Sequence, residues 1–263
     1  MTSPRSRPSG EDADQKLEEW RQGDLTRDRR AFLLAASADP EDVELEIGGD
    51  ILGMVVLSQT CDLSRSASDR PYVEICPLVE LSEGKFNAVR AGTSAQFAFL
   101  PRLETERLVA DLERVMTVRK ELLASWTREE GCSSDSERIK FARTIARKRA
   151  RFAFPTDFSE GLSKLRKSIF KKPPARFKDI TEIRVYASDW FGVLVEPTFF
   201  FIVEDEADRA ALSRMVEEMW GMVDLPAARY QLSVPPFHVL TIDEMDPREY
   251  RDSVPLEFEI LSF

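Results

Sequence analysis

Ile51-Leu52-Gly53-Met54-Val55-Val56-Leu57-Ser58-Gln59-Thr60-Cys61-Asp62-Leu63 is the stretch on which the fold reading turns. Its apolar first part follows the turn residues Gly48-Gly49-Asp50 and is expected to form a buried strand from Ile51 to Ser58. If the chain stays extended from Met54 to Asp62, then Val55, Leu57, Gln59 and Cys61 share one face, and Val56, Ser58, Thr60 and Asp62 share the other. Cys61 then falls in a mainly apolar row, where a small buried cysteine is expected. Asp62 joins the hydroxyls of Ser58 and Thr60 in a polar row that could bind a cation, accept from an arginine or cap the next turn.

Upstream, Arg30 to Ala35 is a strand candidate; downstream, Tyr72 to Cys76 follows the polar loop Ser64 to Arg70 as another. Residues 17–102 therefore read as a β-rich, barrel-like part. Residues 1–16, rich in Ser, Pro, Asp and Glu, read as a disordered tail. Leu108, Leu112, Val115, Met116, Leu122, Leu123 and Trp126 recur close to helical spacing. Glu137 to Arg151 reads as a basic helix stopped by Pro155, and Phe158 to Phe170 as a shorter one before the linker Lys171-Lys172-Pro173-Pro174. Residues 103–172 are accordingly expected to form a helical basic segment. From 179 to 263 the order is strand (Glu182 to Ala187), strand (Thr198 to Val203), amphipathic helix (Glu206 to Val223) and closing strands (Val239 to Ile242, Leu256 to Leu261). The fold class expected from this order is α+β.

Composition narrows the function classes. A 43% hydrophobic content belongs to a globular chain, and the best apolar run, Val193 to Val203, is broken by Glu196 and Pro197. It falls short of the roughly 20 residues of a membrane span. No apolar segment follows the basic residues of the N-terminus, so no secretory signal is read. Three cysteines (Cys61, Cys76, Cys132) far apart and a single histidine, His238, argue against a disulfide scaffold or a structural zinc site. A soluble cytoplasmic protein is expected. No P-loop, Rossmann glycine pattern or H-E-x-x-H is present, and the cofactor is left open.

Charge is unevenly spread. Between Arg138 and Lys178 stand fourteen Lys/Arg against Asp157 and Glu160, a balance of +12; with a total of −10, the rest carries −22. Arg143, Arg147, Lys148, Arg149 and Arg151 cluster on or beside one helix, with Phe152, Phe154 and Phe170 interleaved as stacking candidates. Such density suits phosphate contacts, so nucleic acid is a candidate partner for 138–178. The same residues could equally pair with the acidic remainder of the chain, or meet a protein partner.

As a catalytic site, Cys61, Asp62 and Ser58 lie where a strand gives way to a polar loop. A nucleophilic thiolate needs a base, and the one imidazole, His238, is 177 positions away. Asp62 disfavours a thiolate beside it, and the loop after it shows no helix start to offset that charge. The acids Glu204, Asp205, Glu206 and Asp208 suit a helix N-terminus. Met215, Met219 and Met222 with Trp220 form a stripe that is either core or a partner surface.

Ser58-Gln59-Thr60-Cys61-Asp62, Leu100-Pro101, Arg151-Phe152-Ala153-Phe154-Pro155 and Leu261-Ser262, in that order, resemble an uncharacterised bacterial protein family with an S-Q-T-C-D motif; the resemblance implies no activity. Gly23-Asp24, Val55-Val56-Leu57-Ser58 and Ile75-Cys76-Pro77-Leu78 are similar to the start of PemK/MazF-type toxins, which implies an SH3-like barrel and a ribonuclease. That match covers about 60 residues, is interrupted by Ser37 to Glu46, and has Leu52-Gly53 where the family carries an arginine. Taken together, the sequence points to a bacterial cytoplasmic accessory protein that binds nucleic acid or a protein partner, in a conflict or defence system. The alternatives are a hydrolase or nuclease working at Ser58 to Asp62, and a non-catalytic interaction module.

Overall fold

A computed structural model describes residues 10–28, 33–35, 45–47, 50–171 and 177–256. The chain forms two compact units, residues 1–151 and 152–263. Helices and two main sheets make the architecture α+β, and the described strands close no barrel. Among the described residues no helix is long and apolar enough to cross a membrane.

The first unit contains α1 (Gly10–Leu17), β1 (Leu25–Thr26), β2 (Leu33–Ala35), β3 (Leu45–Ile47), β4 (Gly53–Val56), α2 (Thr60–Leu63), β5 (Tyr72–Glu80), α3 (Glu83–Arg90), β6 (Phe97–Phe99), β7 (Leu108–Asp111), β8 (Met116–Arg119), α4 (Lys120–Leu123) and α5 (Asp135–Ala150). Its main sheet runs β1-β4-β5-β7-β6, with β8 also paired to β5. β4 is antiparallel to β5 from Gly53↔Leu78 to Val56↔Ile75. Gly53 is required there, because a Cβ would collide with the carbonyl of Thr26 on β1. β4 is apolar throughout because both of its faces are covered. Met54 and Val56 join Val73, Ile75, Leu17, Trp20, Leu63 and Leu123 on one side. Val55 and Leu57 join Cys76, Leu78, Phe141 and Ile145 on the other.

β7 and β8 lie end to end along one edge of β5. Between Leu78↔Ala110 and Ile75↔Met116, β5 advances three residues and its partner six, so the partner bulges outward. This corrects the helix expected over 108–126: two strands and the short α4 stand there, and the 103–172 segment is helical only in part. The expected tail is also corrected in part. Residues 10–17 form α1, with Ala13 and Leu17 buried. Residues 1–9, the start of the Arg30 to Ala35 strand, the Gly48-Gly49 turn, the linker at 172–174 and the closing strand from Glu257 onward lie outside the described residues.

The second unit contains α6 (Thr156–Gly161), α7 (Ser163–Lys171), β9 (Ile180–Tyr186), β10 (Thr198–Val203), α8 (Arg209–Trp220), β11 (Phe237–Thr241), α9 (Pro247–Asp252) and β12 (Val254–Pro255). Its sheet runs β11-β10-β9-β12, with β10 and β11 parallel and the other pairs antiparallel. α8 makes the crossover that a parallel pair demands. Asp208 caps it, accepting from the Ala211 amide at 3.1 Å. The methionine stripe is core, not a free surface: Met219 is buried, and Met215, Trp220 and Met222 pack against the same cluster.

Candidate functional site

The extended parity expected for Ser58 to Asp62 ends at Gln59. The carbonyl of Gln59 accepts from the amides of Asp62 (2.9 Å) and Leu63 (3.1 Å), winding one helical turn, α2. That turn reverses the expected placement of Cys61, which is exposed, its Sγ lying 3.5 Å from Oε1 of Gln59. Nor does the polar row form a joint site. Ser58 Oγ accepts from the Glu74 amide at 2.8 Å, and Thr60 Oγ1 from the Gln22 amide at 3.2 Å, so both hydroxyls serve the backbone. Asp62 is half-buried beside them.

Neighbouring segments fix the run. Gln22 donates through Nε2 to the Leu57 carbonyl at 2.7 Å. Gly23, held at φ +88°, gives its amide to Val56 O at 2.9 Å, and the Val56 amide returns to Asp24 O at 2.8 Å. Only a residue without a side chain holds that left-handed conformation at little cost. Asp24 itself is fully buried, accepting from Arg128 Nε and from the Arg21 amide, both at 2.7 Å, and burial pushes its carboxyl above the ordinary aspartate value. Burial likewise pushes the Cys76 thiol well up and that of Cys132 up to about 11, which makes both inert packing residues.

The setting for covalent chemistry is thin. His238 belongs to the second unit, exposed on β11 with its ring stacked on Phe200 at 5.6 Å, whereas Cys61 belongs to the first. A cleft of about 430 Å³ opens in the first unit, walled in part by Lys16, Glu19, Trp20, Trp126 and Arg128, and none of Ser58, Cys61 and Asp62 lines it. Among the described residues no three His, Cys, Asp or Glu side chains are grouped to hold a metal ion.

The basic helix α5 forms as expected. Ser134 caps it, accepting from the Glu137 amide at 3.3 Å, while Glu137 accepts from the Ser133 amide at 2.6 Å. Much of its charge is turned inward on the chain. Arg147 donates to the carbonyls of Gly92 (2.7 Å) and Ser94 (3.3 Å), Lys148 pairs with Glu113, and Arg149 pairs with Glu74. Lys140, Arg143 and Arg151 are exposed. Phe152 and Phe154 are not open stacking platforms; both are half-buried, with rings 5.7 and 5.0 Å from that of Trp190.

Glu74 is where the two candidate features meet. Its amide reaches Ser58, and its carboxylate receives Arg149. Around it an end of the sheet lies open. Tyr72 stands across from Arg119, and Glu74 across from Thr117; all four side chains project from one face by strand alternation. Tyr72 is 58% exposed, a large value for an aromatic residue on a strand. Arg119 is equally open and pairs with Glu121 at 3.1 Å. Sequence reasoning named Ser58 and Arg149 but missed Tyr72 and Arg119. The signal available was the polar-apolar alternation of Tyr72-Val73-Glu74-Ile75 and Met116-Thr117-Val118-Arg119.

No known protein family, curated protein or solved structure matches this chain.

Proposed function

We propose that this protein is a non-catalytic accessory protein of the bacterial cytoplasm that binds single-stranded nucleic acid on the open end of β5 and β8. One observation carries the reading: an exposed aromatic, Tyr72, stands opposite Arg119, two residues along the strand from the point where Arg149 of the basic helix arrives. A base stacks on such a ring whatever its identity, while flanking guanidiniums take the phosphates. The ion pairs Arg149–Glu74 and Arg119–Glu121 are at the surface, where water screens a pair and it contributes little. Exchanging either carboxylate for a phosphate therefore costs little. Exposed Lys140 and Arg143 add positive charge on other faces of α5.

The test is fluorescence anisotropy of a labelled oligothymidylate across a salt series. Binding is expected to weaken linearly in log–log form, with a slope near −0.7 for each phosphate engaged. Arg143→Glu with Arg149→Glu should flatten the slope. Absence of binding at low salt ends the reading.

A protein partner is the second reading, favoured by a separate observation in the second unit. Phe191 (71% exposed), Val193 (94%) and Leu194 (50%) stand together on one short segment. Exposed apolar residues gathered in this way mark interaction surfaces. Val193→Asp should abolish capture of such a partner and leave oligonucleotide binding intact.

A further inference from the structure

Lys120 begins α4 directly after β8, and none of its surface reaches solvent. Its ammonium donates to three main-chain carbonyls: those of Asp62 at 2.7 Å, Leu63 at 3.1 Å, and Arg65. An ammonium has three N–H groups and no acceptor, so three carbonyls occupy it fully. These carbonyls belong to the end of α2 and the chain leaving it, the groups that a helix C-terminus leaves without partners. With four residues, α2 is far too short to persist by its own hydrogen bonds. The backbone of Lys120 faces the other way: its amide donates to the Pro71 carbonyl at 2.9 Å, next to Tyr72, while Arg119 points outward one residue before.

We infer that Lys120 is a positioning residue that locks the Ser58–Leu63 run to the Tyr72–Arg119 face, so that the turn presenting Gln59 and Cys61 and the proposed nucleic-acid face keep one geometry. The coupling to a ligand rests on the function proposed above; the positioning rests on the hydrogen bonds alone.

The charged groups around the ammonium are Asp14 from α1, Asp62 from α2, and Arg65 and Arg70 from the loop that follows. Burial holds Lys120 below the ordinary lysine value, against the pull of the two acids. A neutral amine has two N–H groups and a lone pair, so deprotonation leaves one carbonyl facing that lone pair. Rising pH does not open the lock even so, because a value lowered in the locked site means that any state admitting water to the amine holds the proton more tightly. Because the folded value is the lower one, the unfolded chain keeps this proton longer, and the group's contribution to global stability does not fall as pH rises.

The experiment is hydrogen exchange on the full chain, wild type against Lys120→Met, with and without oligothymidylate. The amides of Leu63 and Ser64, bonded to Gln59 O and Thr60 O, should lose protection by about tenfold or more in the variant while β5 keeps its own. Alkylation of Cys61, the exposed thiol, should change rate in parallel. Bound oligonucleotide should add protection at Leu63 and Ser64 in the wild type and none in the variant. Unchanged exchange and alkylation in Lys120→Met overturn the proposal. If Lys120→Met does not fold, Lys120→Gln decides: protection lost at Leu63 and Ser64 while β5 keeps its own supports the lock, and unchanged protection overturns it. A wild type that binds no oligonucleotide defeats the proposed function, and the ligand-free comparison still judges Lys120.

Discussion

In the first unit, directed polar contacts tie remote segments together: Lys120 to the carbonyls of residues 62, 63 and 65, Arg128 to buried Asp24, Arg149 to Glu74. The second unit has such ties too, Arg184 donating to Ser253 Oγ at 2.8 Å and to Tyr250 O at 2.9 Å, but its core is built mainly of rings. Phe158 lies 4.9 Å from Trp190 and 5.3 Å from Phe154, and Phe199 lies 4.8 Å from Trp220. Hydrogen bonds to charged groups specify angles as well as distances, whereas an apolar core tolerates repacking while volume is kept. A surface that must hold a ligand in one geometry is therefore better founded on the first unit, and one that needs only apolar area on the second.

The sharpest way to break this contrast is Phe158→Ala, which removes a fully buried ring from the middle of the aromatic cluster. A loss of about 3–5 kcal/mol is expected in the second unit, read by denaturant unfolding followed at the amides of β9 and β10. An effect below 1 kcal/mol would mean that the cluster does not hold the unit. Tyr72→Ala comes next. It should weaken oligonucleotide binding by about 1–3 kcal/mol and leave the thermal midpoint unchanged, since the ring is mostly in solvent. A smaller effect concerns pH. Burial, and donation to Asp157 at 2.9 Å, push the Tyr230 hydroxyl up to about 12. With an unfolded value near 10, the stability it contributes is complete below about pH 10 and lost as pH rises towards 12. Calorimetry across that window should show the second unit weakening, and Tyr230→Phe should remove the dependence. Least of all, Ser134→Ala should cost about 0.5–1 kcal/mol, because the cap bond is long and exposed.

The parts of the fold legible in sequence are those whose pattern is set locally. Residues 53–56 are apolar without interruption because both faces are covered, and α5 announces itself through its Ser134 cap and basic last turn. The β-β-α-β order of the second unit follows from period and punctuation alone. Residues 108–119 misled because the three extra residues between β7 and β8 reset the strand alternation. Leu108, Leu112 and Met116 thereby fell at a spacing of four although no helix links them. Cys61 misled because one turn of helix, held by a lysine 59 positions downstream, reverses side-chain parity. Of the candidate site, Ser58 and Arg149 were visible as residue types in suggestive runs. Tyr72, Arg119 and Lys120 were not, because their roles come from cross-strand and through-core contacts that no local pattern records.

The most direct test of the proposed function is ultraviolet cross-linking of a single-stranded oligonucleotide to the full chain, with the attachment points mapped by mass spectrometry. Both units offer aromatic rings, so the map discriminates between them. Cross-links centred on Tyr72, weakened by Arg149→Glu and by added salt, are the expected result. Cross-links confined to Phe152 and Phe191 of the second unit, or none at all, would contradict it.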